Sequence, residues 1–337
     1  MREVKVCLIG SGRAGMVHAH NYTGSVPNAR IIAVCDPVEE TAKNAAEELG
    51  IDQYYTDYRD VLKNDEINAV YIVTPTKYHK EIAVAAAQAK KHIFCEKPMA
   101  MNEEECDEMI KAADENNVKL QIGFMRRFDE SFQEAKRMIA EGEIGDIVLV
   151  KSHSRGPSKP KEWMFDIKKS NGPLAEVSSH DIDTVRWFAE SELESVYAIG
   201  GNFRNKEIAE QYPDFYDNVI MTGEFANGIH ACVEGAQYVQ YGYDARVEIL
   251  GTKGVICLGD IHEKKILTCT PNHELKRPTT RSWKFLFKDA YLAEDRSFIR
   301  SIISDTPVEC SGYDGKMAVR IVKAGNESIV NKKIVKL

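Results

Sequence analysis

The stretch VKVCLIGSGRAG, Val4 to Gly15, decides how the chain must begin to fold. A short apolar run, Val4 to Ile9, passes directly into Gly10, Gly12 and Gly15 in the order Gly-x-Gly-x-x-Gly, with Ser11, Arg13 and Ala14 between them. A buried strand ending in such a loop brings backbone N–H groups and the start of a helix up to a pyrophosphate. Each glycine excludes a side chain for its own reason. The first makes the tight turn, the second lets the backbone approach the phosphates, and the third lets the helix pack closely on the strand.

Ile31 to Cys35 reads as a second buried strand, and it delivers Asp36 twenty-one residues after Gly15. That is close to the ~20-residue offset at which an acidic side chain meets the adenosine ribose. A carboxylate there accepts from both ribose hydroxyls and repels a 2′-phosphate, which favours NAD as cofactor. Arg13 keeps NADP as the lesser alternative, since a guanidinium beside the ribose pairs with a phosphate. A structural glycine turn with a solvated Asp36 is the plain alternative.

Short apolar runs and helical patterns then alternate. Helices are predicted near Arg13–Tyr22, at Glu39–Leu49, at Lys77–Ala89, and at Asn102–Asn116 with Asn102 as N-cap and Glu105 in the capping-box position. Strands are predicted at Ala69–Val73, His92–Cys95 and Lys119–Gly123. This period predicts an α/β fold, a Rossmann doubly wound parallel sheet over residues 1–122, with ligands outside the carboxyl ends of the strands. Those ends carry Thr74, Pro75 and His79, then Glu96, Lys97 and Pro98, then Phe124 to Arg127.

From 123 to 337 the texture changes to that of an α+β domain. After a helix at Asp129–Glu141 come long alternating runs: Asp146–Ser154, Glu194–Phe203, Tyr216–Phe225, Ile229–Tyr238 and Ala245–Leu250. Such runs predict a large open, mostly antiparallel sheet with one covered face. Helical patterns at Leu174–Glu190, Lys288–Ser304 and Gly315–Val330 are expected to supply the cover.

Composition excludes several classes of partner. Over 337 residues, 44 basic against 52 acidic side chains give a net charge of −8 with no basic block, so nucleic acid is not an expected partner. The apolar run before the glycines is too short for a signal peptide or a membrane span. The 8 cysteines are scattered without a Cys-x-x-Cys pair, several within apolar strands, which points to a reducing, cytoplasmic setting. His18, His20, His79 and His180 lack a zinc spacing, so no metal is expected.

A chemical constellation remains. Glu176 and His180 stand four apart in a predicted helix, after an Asn171-Gly172-Pro173 break. Oxidation of an alcohol needs a base for the hydroxyl proton. A lysine is neutral at pH 7 only at a cost of roughly 4–5 kcal/mol, whereas a histidine's ordinary pKa of about 6.5 leaves most of it neutral. His180 is therefore the expected base. Lys97 is the charge that stabilises the developing alkoxide, with the Lys97–Pro98 bond expected to be cis. Glu176 either accepts from a second substrate hydroxyl or holds the imidazole tautomer.

These residues together resemble the Gfo/Idh/MocA oxidoreductase family, in particular its inositol-oxidising branch. The likeness is carried by GSGRAG, Asp36, Thr74-Pro75 with His79, Glu96-Lys97-Pro98, GFMRRFD (Gly123–Asp129), Glu176-x-x-x-His180-Asp181 and YGYDARVEILGTKG (Tyr241–Gly254). It implies a Rossmann domain joined to an open-sheet domain, hydride transfer to NAD(P) from a cyclic polyol or sugar, and assembly into homo-oligomers. By the same matches, Arg126 or Arg127 and one of Tyr241 and Tyr243 belong near nicotinamide or substrate. His153 is counted with the substrate-facing set. Trp163, in the loop RGPSKPKEWMF, stacks on a sugar face or simply packs. One departure concerns Glu176, where that branch typically has Asp; the added methylene extends the carboxylate by about 1.5 Å and leaves the substrate open. A glycoside ring-hydroxyl dehydrogenase giving a keto-sugar, and a sensor of NAD or sugar without turnover, are the competing readings.

Overall fold

A computed structural model describes residues 3–262 and 266–337. The chain forms two compact units, Met1–Phe128 with Asp289–Val319, and Asp129–Lys288 with Arg320–Leu337. The sequence pattern divides the chain once, after 122. The difference comes from the helix Lys288–Ser304, expected to cover the second sheet. Its Phe298, Ile299 and Ile302 instead join Val4, Val6, Leu8, Tyr71 and Phe94 in one buried cluster. Phe298 stands edge-on to Tyr71 and Phe94, with centroids 5.6 and 5.8 Å apart. Aromatic rings so packed contribute beyond the area they bury, and this cluster claims the helix for the N-terminal unit.

The N-terminal unit holds strands β1 (Val4–Ile9), β2 (Ala29–Cys35), β3 (Gln53–Tyr55), β4 (Ala69–Ile72), β5 (His92–Glu96) and β6 (Leu120–Gly123). They form one parallel sheet in the order β3-β2-β1-β4-β5-β6. The order reverses between β1 and β4, and it is outside the carboxyl ends at such a switch point that doubly wound sheets bind ligands. Residues 69 to 72 and 93 to 96 are buried throughout, as strands covered on both faces must be. The helix Glu103–Asn116 begins as predicted: Asn102 Oδ1 accepts from the Glu105 N–H at 2.8 Å, while Glu105 Oε2 accepts from the Met101 N–H at 3.0 Å. β3 carries no apolar run and escapes a reading by hydrophobic pattern.

The second unit is built on β7 (Ile147–Gly156), β8 (Leu193–Gly201), β9 (Asn218–Phe225), β10 (His230–Gln237), β11 (Asp244–Gly251) and β12 (Val255–Leu258). Beyond a small ribbon of β13 (Thr268–Cys269) and β14 (Leu275–Lys276), β15 (Val335–Lys336) completes the sheet. Its order is β12-β11-β7-β10-β9-β8-β15, and every neighbouring pair except β7/β10 is antiparallel. Side chains alternate as one covered face requires. In β9, Val219 and Met221 are buried, while Ile220 between them is exposed. The cover comes from the helix Ser179–Ala189 and from the later turns of Gly312–Asn331, where Ser328 Oγ accepts from the Ala198 N–H at 2.9 Å.

Candidate functional site

The three glycines of the first loop behave differently, each as its position demands. Gly10 has φ +99°, and a Cβ there would stand 2.5 Å from the Val73 carbonyl oxygen. A Cβ on Gly15 would lie 2.1 Å from the Gly10 carbonyl oxygen, so helix and loop tolerate no side chain. At Gly12 a Cβ would meet nothing within 4 Å, and Gly12 and Arg13 are exposed. The turn thus presents bare backbone on one side, as a phosphate-holding loop needs.

Asp36 follows β2 directly. Its Oδ2 accepts from the Ser11 N–H and hydroxyl at 3.2 and 3.3 Å, and its Oδ1 accepts from the Val38 N–H at 3.1 Å. These contacts hold the carboxylate beside the glycine loop. Loop and acid together have the make-up of a dinucleotide-binding turn.

Two further loops close the strand ends. His79 is buried, with Nε2 2.7 Å from the Thr74 carbonyl and Nδ1 2.9 Å from the Pro98 carbonyl. Expected at the cofactor, this ring faces backbone on both edges and ties the loop after β4 to the loop after β5. Burial pushes its pKa down despite those carbonyls. Thr74 is half-buried and Pro75 exposed beside it. The Lys97–Pro98 peptide is cis. Lys97 is half-buried, and its backbone N–H donates to Glu96 Oε2 at 2.9 Å.

The two arginines after β6 are both buried. Arg127, expected near substrate, places Nη2 2.8 Å from Asp314 Oδ1 and Nη1 3.3 Å from the Glu309 carbonyl. Burial resists ionisation of Asp314, but the charge and hydrogen bond of Arg127 outweigh it and hold the carboxyl below its usual range. Arg127 thereby fastens the strand end to a segment nearly two hundred residues on, a role that no local pattern announces.

In the second unit the pattern Leu174–Glu190 predicts one helix, and the chain makes two. A short helix Gly172–Glu176 ends at Val177, and a second runs from Ser179 to Ala189. The intervening turn packs closely on β10: a Cβ on Gly235 would stand 2.2 Å from Ser178 Oγ. Glu176 therefore closes one helix while His180 opens the next, rather than sharing a continuous face. His180 is 6% exposed, and Asp181 beside it accepts from Ser152 Oγ at 2.6 Å, which pins the new helix to β7.

The remaining candidates sit on or beside separate elements of the second unit. Trp163 is 39% exposed in the short helix Glu162–Phe165. Tyr243 is buried, and its N–H donates to the Thr280 carbonyl at 2.7 Å. His153 alternates with Ser152 along β7 and so projects to the other face of the sheet from Asp181 and the His180 helix. There it lies 3.4 Å from Asp244, whose carboxylate also accepts from Tyr241 at 3.0 Å and from Arg246 at 2.8 Å. Burial would raise the Asp244 pKa, but these donors hold it well below the usual range. Asp244 at this hub lies within the quoted stretch Tyr241–Gly254 without being singled out there, while the buried His18 and Asp295 of the first unit stand outside every quoted motif. Spacing offered a clue only for His18, three residues after Gly15 on one helical face.

Among the described residues no group of three His, Cys, Asp or Glu is placed to hold a metal ion, and no helix is long and apolar enough to cross a membrane.

Comparison with known proteins accounts for both units. Residues 4–124 match the family described as "Oxidoreductase family, NAD-binding Rossmann fold", and residues 132–257 match "GFO/IDH/MocA C-terminal domain". The chain is 32% identical over 336 residues to the myo-inositol 2-dehydrogenase of Thermotoga maritima, covering 99% of this chain and 98% of that protein. It is 37% identical over 264 residues to the scyllo-inositol 2-dehydrogenase (NAD(+)) of Bacillus subtilis, covering 78% and 76% respectively. Among solved structures, scyllo-inositol dehydrogenase from Lactobacillus casei with bound NAD(H) and scyllo-inositol superposes with a TM-score of 0.90 at 28% identity, over 99% of each chain.

Proposed function

Since the chain belongs to the GFO/IDH/MocA oxidoreductase family with its NAD-binding Rossmann fold, we propose that it is an NAD-dependent dehydrogenase of a cyclic polyol, oxidising one secondary hydroxyl of an inositol-type ring to a ketone. The observation that carries the substrate class is the likeness, over 99% of the chain, to a myo-inositol 2-dehydrogenase. When bound, NAD supplies the acceptor for the hydride that leaves the carbinol carbon.

The protein's part is to bind, orient and move one proton. The bare backbone at Gly12 takes the pyrophosphate, and Asp36 takes the ribose hydroxyls. His180 accepts the hydroxyl proton as the C–H electron pair departs, and the Lys97 ammonium stabilises the oxygen as its charge develops. Glu176 accepts from a neighbouring hydroxyl and so selects among ring isomers. Arg126, Trp163 and Tyr243 remain candidates for contact with cofactor or substrate.

The open face of the second sheet supports a further element of this reading. Ile199 and Ile220, paired across β8 and β9, are 61% and 48% exposed, with Tyr197 beside them at 38%. Apolar side chains in that array favour burial against a second copy of the chain, so a homo-oligomer is proposed. The cysteines of the Rossmann sheet, Cys7, Cys35 and Cys95, are buried and free, which suits a cytoplasmic enzyme.

The test is formation of NADH by the purified protein with myo-inositol, scyllo-inositol, free aldoses and glycosides in turn, with light scattering for the assembly. Turnover of an inositol is expected. Turnover of glycosides alone moves the reading to a keto-sugar dehydrogenase, and NAD binding with no turnover of any of them makes the protein a sensor.

A further inference from the structure

Beneath the lysine loop, within the N-terminal unit, runs a line of buried ionisable groups that proton removal from substrate does not use. His18, on the helix Gly15–Asn21, is fully buried. Its Nδ1 lies 2.7 Å from Asp295 Oδ1 and its Nε2 lies 3.2 Å from Glu96 Oε1. Ionised carboxylates only accept, so the ring satisfies both neighbours only as an imidazolium.

The other oxygen of each carboxylate is engaged as well. Asp295 Oδ2 accepts from Asn21 Nδ2 at 2.7 Å, and Glu96 Oε2 accepts from the Lys97 backbone N–H at 2.9 Å. Glu96 packs tightly on β6: a Cβ on Gly123 would lie 3.0 Å from the Glu96 carboxyl carbon. Aromatic rings wall the histidine, with Tyr71, Phe94 and Tyr291 at 5.4, 4.9 and 5.2 Å between centroids. Titratable groups nearby include Tyr22, hydrogen-bonded to Tyr71, and the buried Glu294 next to Asp295. Burial alone would keep His18 neutral, but Asp295 and Glu96 together raise its pKa well above the ordinary value.

We infer that His18 is a positioning residue for Lys97: bridging Asp295 and Glu96 as an imidazolium, it locks the Glu96 carboxylate onto the Lys97 backbone and so fixes where the lysine side chain starts. The helix Lys288–Ser304 thus reaches the lysine through Asp295, His18 and Glu96 in turn. The effect on turnover rests on the reading of Lys97 given above, whereas the charge of His18 does not.

Two measurements on the full-length protein test this separately. Nitrogen NMR of histidine-labelled wild-type protein, with His18 assigned through its perturbation in Asp295→Asn, is expected to show both ring nitrogens protonated at about pH 8. A neutral His18 ring at that pH overturns the inference whatever the substrate is. In kinetics, His18→Gln leaves the Glu96 carboxylate buried without its cation, and kcat is expected to fall roughly tenfold or more while NAD affinity changes less than about threefold. The double variant His18→Gln/Glu96→Gln, which removes both charges, is expected to recover much of that kcat. A wild-type kcat in His18→Gln, proportionate losses of kcat and NAD affinity, or a folded double variant with no recovery overturns the positioning role. Should His18→Gln fail to fold, Asp295→Asn is read by the same kcat criterion. A wild-type protein that shows the imidazolium yet oxidises no polyol sinks the proposed function and leaves the bridge standing.

Discussion

Arg127 and Asp314 lie 187 positions apart and meet through a 2.8 Å contact between Nη2 and Oδ1, on side chains 8% and 19% exposed. The contact closes the N-terminal unit, because Arg127 follows the last strand of the parallel sheet and Asp314 belongs to the segment that returns from the far end of the chain. Such a pair is costly to break by halves. The partner left behind stays largely desolvated.

The pH dependence of that closure has a definite sign. Asp314 titrates below its ordinary value in the folded protein, so the stabilisation is present above the unfolded carboxylate pKa of about 3.9 and is lost as pH falls through the folded one. Asp314→Asn should therefore cost roughly 1.5–3 kcal/mol at pH 7 and less near pH 3, where the unfolded carboxyl is already largely protonated. Urea unfolding at the two pH values measures both penalties. Equal penalties would show that shape rather than charge makes the contact.

Gly15 offers a steric test of the cofactor loop. With a Cβ only 2.1 Å from the Gly10 carbonyl oxygen, Gly15→Ala forces helix and loop apart, because this tightest contact is backbone that cannot swing away as a side chain would. A loss of roughly 1–3 kcal/mol in stability, the usual range for overpacking, should accompany NAD binding at least tenfold weaker by fluorescence titration. Gly12→Ala, with nothing within 4 Å, is the control: it should leave stability nearly unchanged and still weaken NAD binding, since the new methyl occupies the approach to the phosphates. Undiminished NAD binding in Gly12→Ala would remove that turn from the phosphate site.

On the proposed reading, Asp36 sets the nucleotide preference. Anchored by Ser11 and by the Val38 N–H, its carboxylate stands where a 2′-phosphate would be repelled. Asp36→Ser should weaken NAD at least tenfold and narrow the ratio of NAD to NADP affinity, read by titration with each nucleotide. An unchanged ratio would place the ribose elsewhere.

How much of this was legible in the residues depends on the range over which each feature is decided. The glycine loop, Asp36 and the cap at Asn102 are set by neighbours within a turn or by one strand-helix step, and the pattern announces them. The fate of Lys288–Ser304 is not local. Its amphipathic face suits either sheet, and only the aromatic cluster of Tyr71, Phe94 and Phe298 decides where it is buried. The break between Glu176 and His180 is equally hidden, since the turn there packs against Gly235 on a strand more than fifty residues later. His79 and Arg127 have the residue types of a binding site and are engaged with backbone carbonyls and Asp314. Chemistry alone cannot tell a ligand contact from an internal brace.

The strongest test of the chemistry separates a proton acceptor from a charge. His180 is 6% exposed and opens the helix that Asp181 pins to β7, so the backbone that carries its ring is anchored. His180→Ala removes the acceptor and keeps that anchor, and turnover of the polyol should fall by roughly 10² or more while NAD binding stays close to wild type. Lys97→Arg keeps a cation but spreads it over a planar fork, so kcat should drop with little change in NAD affinity, and Lys97→Met should drop it further. Stopped-flow measurement of the first turnover distinguishes loss of chemistry from slow product release. A His180→Ala enzyme with a near-normal first turnover would take the imidazole out of the reaction and leave Lys97 as the group to examine for the proton.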